Sequence, residues 1–180
     1  NVAIGNGSLN VNTTGYANTS LGRDTLYFNV TGNNNTAIGR SALQNNTSSS
    51  NTAVGQSALF ANTTASNNTA VGHSAGDALT SGVSNVAIGS NALGAATTHY
   101  DNVAVGVAAM GSAQAVNCIA MGHGALQNAT GNNNTALGKY ALNANTSGHS
   151  NVAVGSHALD ANISSHYNVA IGKDALGSYT

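Results

Sequence analysis

Apolar positions along this chain come in a short fixed word, and polar positions fill the space between its copies. The word reads N-[VT]-A-[IVLM]-G. It appears as NVAIG (1–5), NTAIG (35–39), NTAVG (51–55 and 68–72), NVAIG (85–89), NVAVG (102–106), NTALG (134–138), NVAVG (151–155) and NVAIG (168–172), with the variants NTSLG (18–22) and CIAMG (118–122). Its fixed ends include Asn1, Gly5, Asn35, Gly39, Asn51, Gly55, Asn68, Gly72, Asn85, Gly89, Asn102, Gly106, Asn151, Gly155, Asn168 and Gly172. Successive glycines lie 16 or 17 residues apart throughout, so residues 1–180 read as one repeat array without a linker or second domain.

The columns beyond the word are regular too. Three residues after the glycine comes alanine (Ala42, Ala58, Ala75, Ala92, Ala109, Ala125, Ala141, Ala158, Ala175), with Ser8 and Thr25 in the first two copies. Leucine follows it in most copies, Met110 in one, while the fifth reads Gly76 and then DAL, as if locally shifted. Counting back eight from the following glycine usually gives a hydroxyl: Thr14, Thr31, Thr47, Thr64, Ser81, Thr98, Thr130, Ser147 or Ser164. Counting back ten usually gives asparagine: Asn12, Asn29, Asn45, Asn62, Asn128, Asn145 or Asn162.

A period this short has no room for a helix hairpin, and it suits two short strands and two turns. The word, β-branched at alternate places, predicts the first strand, and the segment around A-L predicts the second. Glycine with the polar pair after it predicts one turn, and the Asn/Thr/Ser/Gly stretch the other. The expected fold is all-β: a parallel β-solenoid of about eleven coils, stacked roughly 4.8 Å apart into a rod roughly 50 Å long. Stacking brings identical side chains into ladders, and asparagine amides can bond from one rung to the next.

In VAI the first and third residues point to one face and the alanine to the other. Both faces are apolar or threonine, which marks a strand buried on both sides. A thin roll has a core on one side only, so the strand is expected to sit between that core and a neighbouring chain, close to which the small alanine would allow approach. The pattern leaves open which face looks inward.

Composition narrows the function classes. Only 5% of residues are charged, the formal net charge is −1, and there is no Glu, Pro or Trp. That gives no electrostatic footprint for nucleic acid or an anionic membrane. Apolar residues still make 41% of the chain, unlike a disordered segment. No apolar run approaches the ~18 residues that span a bilayer, and no secretion leader is expected within these residues.

These residues resemble a known family. The N-[VT]-A-[IV]-G word resembles the head repeat of YadA-like trimeric autotransporter adhesins, and the longer unit NTALGKYALNANTSGHSNVAVG (134–155) resembles repeats of phage tail-fibre proteins. The resemblance covers the whole chain. It implies a left-handed parallel β-roll, three chains about one axis, displayed on a cell or virion surface, with a host glycan or protein receptor as partner. The period here is longer than the common autotransporter head repeat, and no neck, stalk, anchor or tail is expected within these residues. Bare repeat at both ends fits either a piece of a longer fibre or rods that stack end to end.

Candidate chemistry is sparse. Arg23, Arg40, Lys139, Lys173, His73 and His123 all follow the motif glycine and read as a solvated edge. His149 and His166 share a column on adjacent coils, with His99 one place off, but no ligand spacing supports a metal. Tyr16, Tyr100 and Tyr167 lie in the turn before the word, next to Asp101 and Asn168. Rings stack on sugar faces and amides bond hydroxyls, so these five form a candidate glycan-binding set. Cys118 stands in an asparagine column and reads as a small buried hydrophobe. Five Asp and no Glu give no acid/base pair, so neither enzyme activity nor a cofactor is expected. The N-x-[ST] triplets come with an Asn/Thr-rich repeat.

The function expected is a non-enzymatic structural fibre and adhesion module of a phage tail fibre or bacterial surface adhesin, extracellular and homotrimeric. Two rivals remain: a self-assembling extracellular filament subunit, and an ice-binding solenoid built on the Thr14-to-Ser164 ladder.

Overall fold

Three residues of each word take up extended backbone, and they are its apolar centre. A computed structural model, which describes residues 1–177, contains eleven such strands. They are β1 (Val2–Ile4), β2 (Thr19–Leu21), β3 (Thr36–Ile38), β4 (Thr52–Val54), β5 (Thr69–Val71), β6 (Val86–Ile88), β7 (Val103–Val105), β8 (Ile119–Met121), β9 (Thr135–Leu137), β10 (Val152–Val154) and β11 (Val169–Ile171). All lie in one sheet in chain order, each parallel to the next. The register pairs equivalent residues across the sheet, as in Val86↔Val103, Ala87↔Ala104 and Ile88↔Val105. The chain is a parallel β-solenoid.

The middle residue of each strand points into the coil. From Ala37 to Ala153 these alanines are almost wholly buried, and Ser20 occupies the same position in β2. The residues on either side face outward. The alanine is therefore the coil's own core residue, and the side that a neighbour could approach is the larger Val/Thr and Ile/Val pair. This reverses the role given to alanine from the sequence. A thin coil explains the choice, because alanine must share a narrow interior with the Ala-Leu segment opposite.

That segment is not a second strand. It forms two turns, closed by Ala42 N–H to Gly39 O (3.2 Å) and Asn46 N–H to Leu43 O (3.1 Å) in one coil and repeated in most of the others. The leucines have positive φ near 50°, from Leu9 (53°) to Leu176 (50°). Left-handed backbone costs an L-residue roughly 1–2 kcal/mol. Full burial of the leucine side chain returns about 1.5–3 kcal/mol. The turns still bond between coils: Leu43 N–H reaches Ala58 O at 3.0 Å. The motif glycine is required twice over. Gly106 has φ +135°, and a Cβ there would lie 2.6 Å from the Gly122 carbonyl oxygen one coil on.

The fifth copy is not shifted. Gly76 holds the leucine's place with the same left-handed φ (59°), and Leu79 fills the interior from the position three residues later. A Cβ on Gly76 would lie 3.1 Å from Leu59 and Leu79 methyls, so the two changes compensate. Counting from the following glycine also misplaces two columns in the shorter coils. Asn46 is buried where Asn45 was expected, and Ala129 where Asn128 was. Likewise the hydroxyl row divides between two columns. Thr47 and Thr130 join Thr13, Thr63, Thr80 and Thr146, whose Oγ1 atoms donate to a carbonyl one coil on, as Thr47 does to Thr63 O at 2.8 Å. Thr14, Thr31, Thr64, Ser81, Thr98, Ser147 and Ser164 form a separate exposed column.

Asparagine holds the corner before each strand. Its Oδ1 accepts the backbone N–H of the next word's first residue at 2.9–3.1 Å, in nine steps from Asn1 to Asn168 interrupted only at Cys118. Its Nδ2 donates to a carbonyl in the bend one coil on, three residues before the next word's asparagine, for example Asn68 to Gly82 O at 2.8 Å. From Asn18 to Asn151 these asparagines are buried yet bonded on both sides.

Candidate functional site

The largest regular surface feature is the outward face of the sheet. Each strand presents two side chains there. One column is aliphatic without exception: Ile4, Leu21, Ile38, Val54, Val71, Ile88, Val105, Met121, Leu137, Val154 and Ile171. The other mixes Val, Ile and Thr. Inside the sheet these residues remain only partly covered; Ile88 is 39% exposed and Met121 44%. Parallel in-register pairing stacks like side chains, so the columns run the length of the rod without a charge. A single soluble chain seldom leaves so continuous an apolar surface uncovered.

The charged column lies on the turn beside this face. Arg23, Arg40, Lys139, Lys173, His73 and His123 are exposed. Arg23 pairs with Asp24 at 2.9 Å and Lys173 with Asp174 at 3.5 Å, both near solvent and of little energetic weight. A ladder that the sequence reading missed runs along the same turn. The ring of His123 packs edge-on to Tyr140 (4.9 Å), which meets His157 (5.4 Å), and His157 Nδ1 bonds Asp160 Oδ2 at 2.8 Å. The signal was the 17-residue spacing of 123, 140 and 157, one coil per step.

Tyr16, Tyr100 and Tyr167 are exposed but whole coils apart, so they do not gather into one site. Tyr100 is flanked by exposed Asp101. Asn168 is a rung of the asparagine ladder, its Nδ2 donating to Asn151 Oδ1 at 3.0 Å. Tyr167 does acquire neighbours. The imidazoles of His149 and His166 stack at 4.0 Å and 12°, and both meet the Tyr167 ring edge-on. The His149 N–H donates to His166 Nδ1 at 3.2 Å.

His99 does not join them. It takes a bend position held elsewhere by Gly, Ala or Ser, and its buried Nδ1 has no partner among the described residues. Burial pushes its pKa below 6.5, against a smaller upward pull from a Gln114 backbone bond. The Cys118 thiol is raised by burial, with lesser lowering from the Asn134 and Asn133 backbone, which makes it a poor nucleophile. Among the described residues no three His, Cys, Asp or Glu come together as a metal site, and no helix is long and apolar enough to cross a membrane. No family model, curated protein or solved structure matches the chain.

Proposed function

We propose that the chain is a structural fibre and adhesion module whose copies, three about one axis, pack their sheets together outside the cell or on a virion. The observation that carries this reading is the uninterrupted aliphatic column on the outward sheet face. Packing that face against its equivalents removes about 25 cal/mol of unfavourable free energy for each Å² of apolar surface taken from water. Small, almost uncharged coils supply little else for association. The repeat's resemblance to trimeric autotransporter heads and phage tail-fibre units supports the same arrangement and the surface role, with a host glycan or receptor as the thing bound.

The role is mechanical and needs no catalytic step. A ladder bonded between coils at every turn resists bending, and a row of turns displays side chains along it. Electron micrographs of the purified protein test the reading. Discrete rods roughly 50 Å long, with three lobes in end view, are expected. Long filaments would favour the self-assembling subunit, and single thin rods would remove the basis of the trimer.

A further inference from the structure

On the far side of the coil from the sheet, one patch differs from the rest of the rod. Its side chains come from the two positions after the buried leucine. One column reads Asn10, Tyr27, Gln44, Phe60, and its neighbour Val11, Phe28, Asn45, Ala61. The backbone ties them coil to coil: Val11 N–H to Tyr27 O (3.4 Å), Phe28 N–H to Gln44 O (3.0 Å) and Asn45 N–H to Phe60 O (3.4 Å). Further along the rod these two columns carry no aromatic ring.

We infer that Tyr27, Phe28 and Phe60, with the amides of Gln44 and Asn45 between them, form a binding platform for a neutral glycan of hexopyranose units. Phe28 and Phe60 are exposed, and Tyr27 is half-buried. Phe28 is 46% exposed and Phe60 37%. Tyr27 meets Phe28 edge-on at 4.8 Å and lies over Gly7, where a Cβ would come within 3.2 Å of the ring. A ring already fixed loses little entropy when a ligand arrives. Tyr27 and Phe60 share a column two coils apart, roughly 9.6 Å at the strand spacing. Two rings so spaced can each meet a sugar ring of one extended chain. Between them, the Gln44 amide has no protein partner among the described residues. Asn45 donates through Nδ2 to Phe60 O at 3.0 Å and keeps Oδ1 free. Those atoms can bond hydroxyls. No cation stands in either column, and Asp77 follows Phe60 in the first, which leaves an anionic sugar without a partner there.

The site deepens the adhesion reading and rests on it for its biological use. It faces away from the sheet, so it remains open whether or not the sheets pack together. Calorimetric titration of the full chain with cellohexaose, chitohexaose and maltohexaose, and with an oligosialic acid, tests it. At least one neutral hexaose is expected to bind and the sialic oligomer not. Phe60→Ala and Phe60→Leu, the second keeping apolar volume, should each weaken binding roughly tenfold, while Tyr16→Ala should leave it unchanged. Absence of binding by every neutral hexaose, or binding untouched by either Phe60 variant, would overturn the site. Sedimentation of the same samples separates the two ideas. Trimer without hexaose binding removes the site alone, and hexaose binding by a monomer removes the trimeric fibre alone.

Discussion

Asn85 shows how much one side chain secures here. Its Oδ1 accepts the Asn102 N–H at 3.1 Å, and its Nδ2 donates to His99 O at 2.8 Å, Asn68 Oδ1 at 3.1 Å and Val83 O at 3.1 Å. Asn85→Ala leaves buried backbone groups unpaired and should cost about 3 kcal/mol in urea unfolding. Cys118 is the natural counterpart. Its sulfur accepts the Asn134 N–H at 3.4 Å and reaches Gly131 O only at 3.7 Å. Restoring the rung with Cys118→Asn should raise stability by about 1 kcal/mol in the same assay. Asn62 gives the opposite result. It is buried, neither of its amide atoms has a partner among the described residues, and the next coil places Leu79 beside it. Three coils already pair Leu or Met with Ala at these two positions: Leu93 with Ala96, Met110 with Ala113, Leu126 with Ala129. Asn62→Ala should therefore keep or raise the melting temperature, whereas Asn29→Ala, which loses a 3.0 Å bond to Gly32 O, should lower it. An equal loss in both would contradict this account.

His99 belongs to the same scale. Its folded pKa lies below the ordinary 6.5, so as pH falls the unfolded chain takes up the proton first. The contribution to stability is intact above pH 6.5 and is lost as pH falls from there toward the folded value. Asp77 runs the other way, its carboxyl raised above 3.8 chiefly by burial, so its share is lost as pH rises through its folded value. His99→Ala isolates the first effect. Melting curves between pH 7 and pH 5 should converge for variant and parent at the upper end and separate at the lower, with the variant the more stable.

At the scale of elements, the strands were legible and the turns were not. The word predicts β1 to β11 because three consecutive apolar or β-branched residues between Asn and Gly have few other stable conformations. The A-L segment carries equally apolar residues, yet it bends. Nothing in a leucine announces φ near +50°; the stack imposes it, through the turn closures on either side and the coil-to-coil bond of its N–H. The buried columns were legible only when counted from the preceding glycine, since the shorter coils drop their residue in the polar bend. The aromatic platform escaped notice for a related reason. Tyr27, Phe28 and Phe60 are scattered letters until the coil period lays them side by side. Tyr16, Tyr100 and Tyr167 drew attention through similar local sequence, and similar sequence on distant coils brings nothing together.

At the scale of the whole molecule, the sheet face decides the account. Two apolar strand faces pointed to a partner before the structure oriented them. With alanine turned inward, the outer face carries the larger side chains, and it has no charge from Ile4 to Ile171. Were the chain to work alone, polar or charged side chains would be expected along that face, and the aliphatic column carries none. The most direct measurement is the mass of the native particle by sedimentation equilibrium, for the parent and for Val105→Asp, which places a charge in the centre of the aliphatic column. The account predicts a sharp species at three times the 17.7 kDa chain for the parent, and a monomer for the variant. A parent that sediments as a well-folded monomer of 17.7 kDa would contradict it.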